Sequence, residues 1–258
     1  MKKIVSMLLL ALAGVLVAQE SGKTVFAGEK PTAWRKGVSA GEDGVLTATL
    51  PLPLRYGFPA FAVDKAKTYY LCGEFRMTEG TAKLRVGMNC IAANGKSILP
   101  AHILKVPKLP LVKVVKAAQA GDKTITIEGL GDFQCKRKNH VKLAFDAKED
   151  DSDLPNFNLS PYIAVNGVKA NEDGTATISF AQPLEKAVAA DTVTRVHMMG
   201  GIFIYADKQE ALGNEWFSFR KPIAGKALRP GTVKAQMIFD LTGKTGKVEF
   251  RNLKVIEE

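Results

Sequence analysis

Residues 69–77, YYLCGEFRM, and residues 83–91, KLRVGMNCI, are two runs in which apolar side chains alternate with polar or small ones. This alternation predicts two β-strands that each bury one face. Asn94-Gly95 follows the second run and favours a tight hairpin turn toward Ile98. The fold prediction therefore starts from antiparallel strands around these residues.

Strand-like runs continue through most of the chain. They recur about every 8–12 residues with turn residues between them, which is typical of a β-sandwich or barrel. Long helical periodicity is almost absent. The sequence therefore predicts an all-β protein. The further runs lie at 45–50, 124–127, 141–145, 175–180, 195–199, 202–205, 216–219, 233–240 and 247–256.

Two separated regions resemble one known domain type when taken together. Their order is similar to that in jelly rolls of the carbohydrate-binding-module type, including galactose-binding-like modules. The resemblance covers 24–113 and 201–256, and it implies a jelly-roll β-sandwich with a β-rich insertion. The segments concerned are Tyr69–Arg76, Leu84–Met88, Asn94–Lys96, Trp216–Phe219, Gly231–Val233 and Gly246–Val255.

The chain therefore divides into four predicted parts. A signal peptide occupies 1–18, and the first part of the jelly roll occupies 19–113. The β-rich insertion is 114–200, and 201–258 supplies the last strands of the sandwich.

The amino terminus has the pattern of a cleavable signal peptide. Lys2 and Lys3 precede the almost wholly apolar run Ile4–Ala18, and Gln19 begins a polar chain. The apolar run is shorter than the ~20 residues that a membrane-spanning helix needs. We expect export to the periplasm or beyond the cell, with no membrane segment left after cleavage.

The charge of the chain favours anionic partners. Removing Lys2 and Lys3 from 36 basic residues leaves 34 against 26 acidic ones, a net charge of +8. The lysines are scattered, as a solvated surface would have them, and export argues against a nucleic-acid partner. A glycan or polysaccharide, including an acidic one, is the predicted class of partner.

Sugars are bound by aromatic rings that stack on the apolar faces of pyranoses. The predicted ligand-binding aromatic residues are Trp216, Tyr56, Phe58, Trp34 and Tyr205. Trp216 is the first choice among them, because Phe217 and Phe219 form the natural core face of its strand and leave Trp216 on the other face.

Arg195 and His197 are predicted to assist in ligand binding, and they also suggest a rival function. Both point to the same side of an alternating strand. With Tyr205 they are the residue types that a jelly-roll polysaccharide lyase would need. No nucleophile elbow, HExxH motif or phosphate loop supports an enzyme, and no catalytic residue is assigned.

Asp151 and Asp153 are the candidate metal ligands. They belong to a dense acidic segment whose oxygen atoms suit Ca²⁺, although the spacing is not that of an EF-hand. A solvated acidic loop is the alternative interpretation. The family resemblance adds no calcium ligand, because Arg251 puts a cation where such modules often carry an aspartate. No other cofactor is predicted.

The function predicted from these observations is a secreted, non-catalytic carbohydrate-binding protein that uses exposed aromatic residues on a β-sandwich. One alternative is a structural or adhesive cell-surface protein whose insertion is a protein interface. A polysaccharide lyase or glycoside hydrolase is a further alternative.

Overall fold

The computed structural model of the chain describes residues 22–31, 37–51, 59–243 and 245–258. The predicted signal peptide, 1–18, lies outside these residues. In the described ranges, no helix has the length and apolar character needed to cross a bilayer. The strands, in chain order, are β1 Lys23–Ala27, β2 Val38–Ala40, β3 Leu46–Leu50, β4 Phe61–Ala62, β5 Thr68–Gly80, β6 Ala82–Ile91, β7 Val112–Lys116, β8 Thr124–Glu128, β9 Val141–Phe145, β10 Ile163–Ala170, β11 Thr175–Phe180, β12 Val193–Met198, β13 Ile204–Tyr205, β14 Glu210–Leu212, β15 Phe217–Ala224, β16 Lys234–Thr242 and β17 Gly246–Glu257.

Two antiparallel sheets enclose the main hydrophobic core. The first sheet has the order β15–β5–β17–β3–β2, with β1 also beside β17. The second has the order β13–β6–β16–β4, with β14 also beside β6. Phe75 of the first sheet meets Phe239 of the second across the core, with their ring centroids 4.9 Å apart. The predicted jelly-roll β-sandwich is confirmed.

The long central strands form because every second side chain is apolar. In β6, Leu84, Val86 and Met88 are buried in this core. Each fully buried side chain of this size contributes about 1.5–3 kcal/mol relative to an exposed one. The alternation leaves the opposite faces of the strands free for polar residues.

A β-bulge in the last strand shifts this alternation by one residue. Val248 and Phe250 point into the core before the bulge, and Leu253 and Val255 point into it afterwards. Asn252 sits at the bulge with φ of 54°, a left-handed conformation that asparagine adopts more readily than most residues. Without the bulge, β17 could not bury apolar side chains along its whole length.

The segment between the two parts of the sandwich forms a third sheet. Its order is β10–β11–β8–β7–β12–β9, and all its neighbouring strands are antiparallel. It has a hydrophobic cluster of its own, which includes Ile127, Leu143 and Ile178. The predicted β-rich insertion is thus present, and the predicted segment 114–200 begins inside β7.

The chain enters and leaves the insertion side by side. A 3₁₀ turn, Pro100–His102, leads in, and the amide of Met198 donates to the carbonyl of Leu104 at 2.9 Å. The Arg229 guanidinium donates to the carbonyl of Gly201 at 2.7 Å and also to that of Ile98. Arg229 therefore binds both the segment that enters the insertion and the segment that leaves it.

The three cysteines are buried free thiols. Cys72 lies on β5 in the first sheet and Cys90 on β6 in the second, while Cys135 belongs to the core of the insertion. They pack as small apolar side chains.

Candidate functional site

A cleft of about 440 Å³ lies on the outer face of the first sheet. Its floor consists of Thr47, Arg76, Glu249 and Arg251, and Trp216 borders it. The turn 41–45, between β2 and β3, supplies the remaining lining residues, including two carboxylates. We refer to this feature as the Trp216 cleft.

Strand register brings the floor of the cleft together. Glu249 on β17 lies opposite Thr47 on β3 and opposite Arg76 on β5. These residues face outward because their neighbours Val248 and Phe250 occupy the core. The cleft thus follows from the same alternation that fills the sandwich.

Trp216 lies just before β15 and is half-buried. As the alternation predicts, Phe219 is buried and Ser218 is exposed. The guanidinium carbons of Arg76 and Arg251 lie 4.6 and 4.2 Å from the centre of the indole ring. Cation–π contacts of this kind contribute about 0.5–1 kcal/mol at exposed sites, so they hold the ring in place.

Both arginines of the cleft are neutralised by carboxylates. Arg76 pairs with Glu249 at 2.7 Å, and Arg251 pairs with Glu74. Burial alone would raise the pKa of Glu74, but hydrogen bonds from Arg251 and Ser218 hold that pKa below its usual value. Glu74 therefore stays ionised and keeps Arg251 beneath the indole.

The cleft combines an aromatic surface with donors and acceptors of hydrogen bonds. Guanidinium groups donate only, carboxylates accept only, and the Thr47 hydroxyl can do either. A sugar hydroxyl can accept a hydrogen bond from a guanidinium group and donate one to a carboxylate. The arrangement suits a ligand with many hydroxyl groups and one apolar face.

A larger groove, about 660 Å³, lies beside the insertion. Its apolar lining includes Phe145, Leu184 and Val188, which belong to the core of the insertion, and Phe157. It contains neither tryptophan nor tyrosine among its described lining residues. The Trp216 cleft is the better candidate because it presents an indole ring next to polar groups.

Three of the predicted aromatic residues lie outside the described part of the chain. Trp34 falls within 32–36, and Tyr56 and Phe58 fall within 52–58, all outside the described residues. Their assignment to ligand binding stays a prediction.

Arg195 and His197 meet, as their spacing on β12 predicts, but they meet inside the protein. Arg195 is 4% exposed and His197 is fully buried. The Arg195 Nε donates to His197 Nε2 at 3.1 Å, so Nδ1 carries the proton and donates to the carbonyl of Ala101 at 2.7 Å. Burial lowers the pKa of His197, which keeps the ring neutral. The pair joins β12 to the turn that enters the insertion.

Asp151 and Asp153 both pair with the side chain of Arg195. Arg195 donates to both oxygens of Asp153, at 2.7 and 2.5 Å, and also to Asp151. Lys105 pairs with the other oxygen of Asp151 at 2.5 Å. No group of three or more His, Cys, Asp or Glu in the described part of the chain is arranged to hold a metal ion. The carboxylates proposed for calcium neutralise a buried arginine.

Both oxygens of the Asp153 carboxylate accept hydrogen bonds besides those from Arg195. Asn156 donates to it at 3.0 Å, and the amide of Lys148 donates at 3.1 Å. Burial by itself would raise the pKa of Asp153, but the hydrogen bonds from Arg195 and Asn156 lower that pKa below its ordinary value. The acidic segment is therefore an ordered part of the insertion.

Tyr205 lies in a different sheet from Arg195 and His197. It pairs with Gly87 on β6, and its hydroxyl donates to Asp240 of β16 at 3.1 Å. The guanidinium of Arg85 lies 4.5 Å from the centre of its ring. The three residues of the hypothetical lyase site thus belong to two different sheets.

Comparisons with known proteins add little to this geometry. No protein-family model matches the sequence, and no curated protein matches it. Among solved structures, the chain is similar to the CBM22-1 xylan-binding domain of Paenibacillus barcinonensis Xyn10C. The identity is 6% and the TM-score 0.36, over 93% of this chain and 97% of that domain. We take no inference about the ligand from a similarity of this size.

Proposed function

We propose that this chain is an exported glycan-binding protein that holds a neutral sugar chain in the Trp216 cleft and acts by binding alone. The observation that carries the proposal is a half-buried indole ring beside paired guanidinium and carboxylate groups in a cleft of about 440 Å³. Stacking on the ring would supply affinity, and the charged groups would orient the hydroxyls.

The charges of the cleft favour a neutral glycan over an acidic one. Glu249 and Glu74 already neutralise the two arginines, and Glu42 and Asp43 line the cleft as well. A uronate or sulfate would meet no unpaired cation among the described lining residues. A neutral sugar would leave each ion pair in place and add hydrogen bonds to it.

Export is part of the proposal and rests on the amino-terminal sequence. Lys2 and Lys3, the apolar run Ile4–Ala18 and the polar chain from Gln19 match the three-part pattern of a signal peptide, which supports export.

The alternative functions have less support. A lyase would bring Arg195, His197 and Tyr205 to one accessible site, whereas Arg195 and His197 are buried in ion pairs and hydrogen bonds and Tyr205 is bonded to Asp240 in another sheet. An adhesive insertion would need a broad apolar surface. Val115 on β7 and Val165 on β10 are exposed there, but β8 and β11 separate their strands in the sheet.

The test is a binding screen of the chain from Gln19 against neutral and acidic oligosaccharides, with Trp216→Ala beside it. Cellohexaose, xylohexaose and mannohexaose are the neutral probes, and polygalacturonate is the acidic one. We expect a neutral glycan to bind, and Trp216→Ala to weaken its binding at least 30-fold, about 2 kcal/mol.

Tyr70→Ala is the matched control. Tyr70 is a second half-buried aromatic residue on the first sheet, with the Arg220 guanidinium 3.4 Å from its ring centre, and it lies outside the cleft. Equal losses in the two variants would remove the cleft from the proposal. A folded wild-type chain that binds none of the neutral glycans would refute the proposal itself.

A further inference from the structure

Three consecutive cations occupy an exposed loop of the insertion. Lys136, Arg137 and Lys138 lie between β8 and β9, and all three are exposed, as is Asn139 after them. We call residues 136–139 the basic loop. Within the described residues, none of its cations is paired with a carboxylate.

The surroundings of the basic loop are also positive. Between Gly131 and Lys142 there are four cations and one carboxylate, Asp132, which gives this stretch a net charge of +3. Lys169 on β10 is exposed and adds to it, and the side-chain amide of Gln134 donates to the neighbouring backbone carbonyl of Val168 at 2.9 Å. Positive charge is thus concentrated in and around the basic loop.

The loop is anchored at both ends, so the backbone that carries its cations is preformed. Cys135 is buried, and its sulfur lies 3.4 and 3.6 Å from the carbonyl oxygens of Arg137 and Ile163, to either of which the single S–H can donate. The amide of Asn166 donates to the carbonyl of Cys135 at 2.8 Å, and the amide of Met199 donates to that of His140 at 2.7 Å. A ligand would not need to order this backbone on binding, which reduces the entropic cost.

We propose that the basic loop is a contact site for an acidic polysaccharide, a polymer whose carboxylate or sulfate groups recur along the chain. The exposed cations match such a polymer in charge, and successive anionic groups can reach successive side chains. The proposal does not rest on the Trp216 cleft, since the loop belongs to the insertion and the cleft to the sandwich.

Other polyanions fit the loop less well. Val165 is the exposed apolar side chain beside it, next to Asn166, and one valine offers little to insert into a lipid surface. Single-stranded nucleic acid is usually bound with aromatic side chains that stack on bases. Phe133 is the aromatic residue nearest in sequence, and it packs against the core of the insertion.

The test compares two triple variants with the same change in net charge. Lys136→Ser/Arg137→Ser/Lys138→Ser removes the basic loop, and Lys65→Ser/Lys67→Ser/Lys226→Ser removes three exposed lysines of the sandwich. Binding of each chain to polygalacturonate and to heparin is measured by affinity electrophoresis at several salt concentrations. Thermal unfolding of both variants verifies that they fold.

At low salt we expect the basic-loop variant to lose about 30- to 100-fold in affinity for at least one of the two polymers, and the control variant less than about 3-fold. The salt dependence of the remaining binding should flatten in the first variant only. The two polymers distinguish carboxylate from sulfate recognition. Equal losses of affinity in both variants would show that net charge alone determines binding, and would overturn the proposal. Tighter binding of the wild type to duplex DNA or to vesicles of anionic lipid than to either polysaccharide would also overturn it.

Discussion

His102 should make the protein sensitive to mild acid. It ends the 3₁₀ turn that enters the insertion, and its Nδ1 accepts a hydrogen bond from the amide of Leu99 at 3.0 Å. Its ring packs on Phe157, with the ring centroids 4.4 Å apart. Burial lowers the pKa of His102 to about 4, and the nearby charges of Lys142, Arg229 and Lys96 act in the same direction.

The size and sign of the effect follow from this pKa. Above pH 6.5 the ring is neutral in both the folded and the unfolded chain, so it contributes no pH dependence. Between pH 6.5 and 4 the unfolded chain takes up a proton that the folded chain does not, so the free energy of unfolding decreases as the pH is lowered. The upper limit is about 3 kcal/mol, since one pKa unit corresponds to ~1.4 kcal/mol. Because the ring is only half-buried, we expect a loss of about 2 kcal/mol at pH 4.5 from this residue.

The perturbation is His102→Asn, which retains an acceptor for the amide of Leu99 and does not titrate. Urea unfolding is measured at pH 7 and pH 4.5 for the wild type, for His102→Asn and for His140→Asn. His140 is the control because it is a second partly buried histidine, between β8 and β9 of the insertion. From pH 7 to pH 4.5 the free energy of unfolding should decrease by about 2 kcal/mol more in the wild type and in His140→Asn than in His102→Asn. The same loss in all three chains would refute the reasoning.

Two further predictions concern the polar networks. Asp153→Ala should destabilise the protein by about 2–3 kcal/mol, because Arg195 would stay buried with only Asp151 as a carboxylate partner. Asp150→Ala, at an exposed neighbour, should cost only about 0.5–1 kcal/mol, for the hydrogen bond that its carboxylate accepts from the amide of Ser152 at 3.0 Å. Chemical denaturation measures both, and a similar cost for the two would contradict the role of the ion pair. Tyr205→Phe should cost about 1 kcal/mol through the lost hydrogen bond to Asp240, with unchanged glycan binding; weaker glycan binding in this variant would place a ligand on the second sheet.

The sandwich was predictable from sequence because local alternation determines its strands. β5 and β6 follow the apolar pattern of residues 69–77 and 83–91, and the turn at Asn94-Gly95 forms, with the amide of Gly95 donating to the carbonyl of Ala92. β10 was not predicted, because its Asn166-Gly167 pair has the composition of a turn. In the structure Asn166 has φ of 55° at an irregularity within the strand, and pairing with β11 resumes after it.

Strand alternation fixes which side of a sheet a residue faces, but it does not identify the partner across the sheet. For Trp216 it predicted the correct side of the strand, yet the arginines that flank the ring come from β5 and β17, which only long-range register brings together. For Arg195 the same rule predicted contact with His197 and could not reveal the carboxylates that approach from another loop. A buried arginine requires such partners, since an unpaired buried charge costs several kcal/mol. The acidic segment next to β9 therefore neutralises Arg195, whereas the cleft beside the half-buried Trp216 is where we propose that a ligand binds.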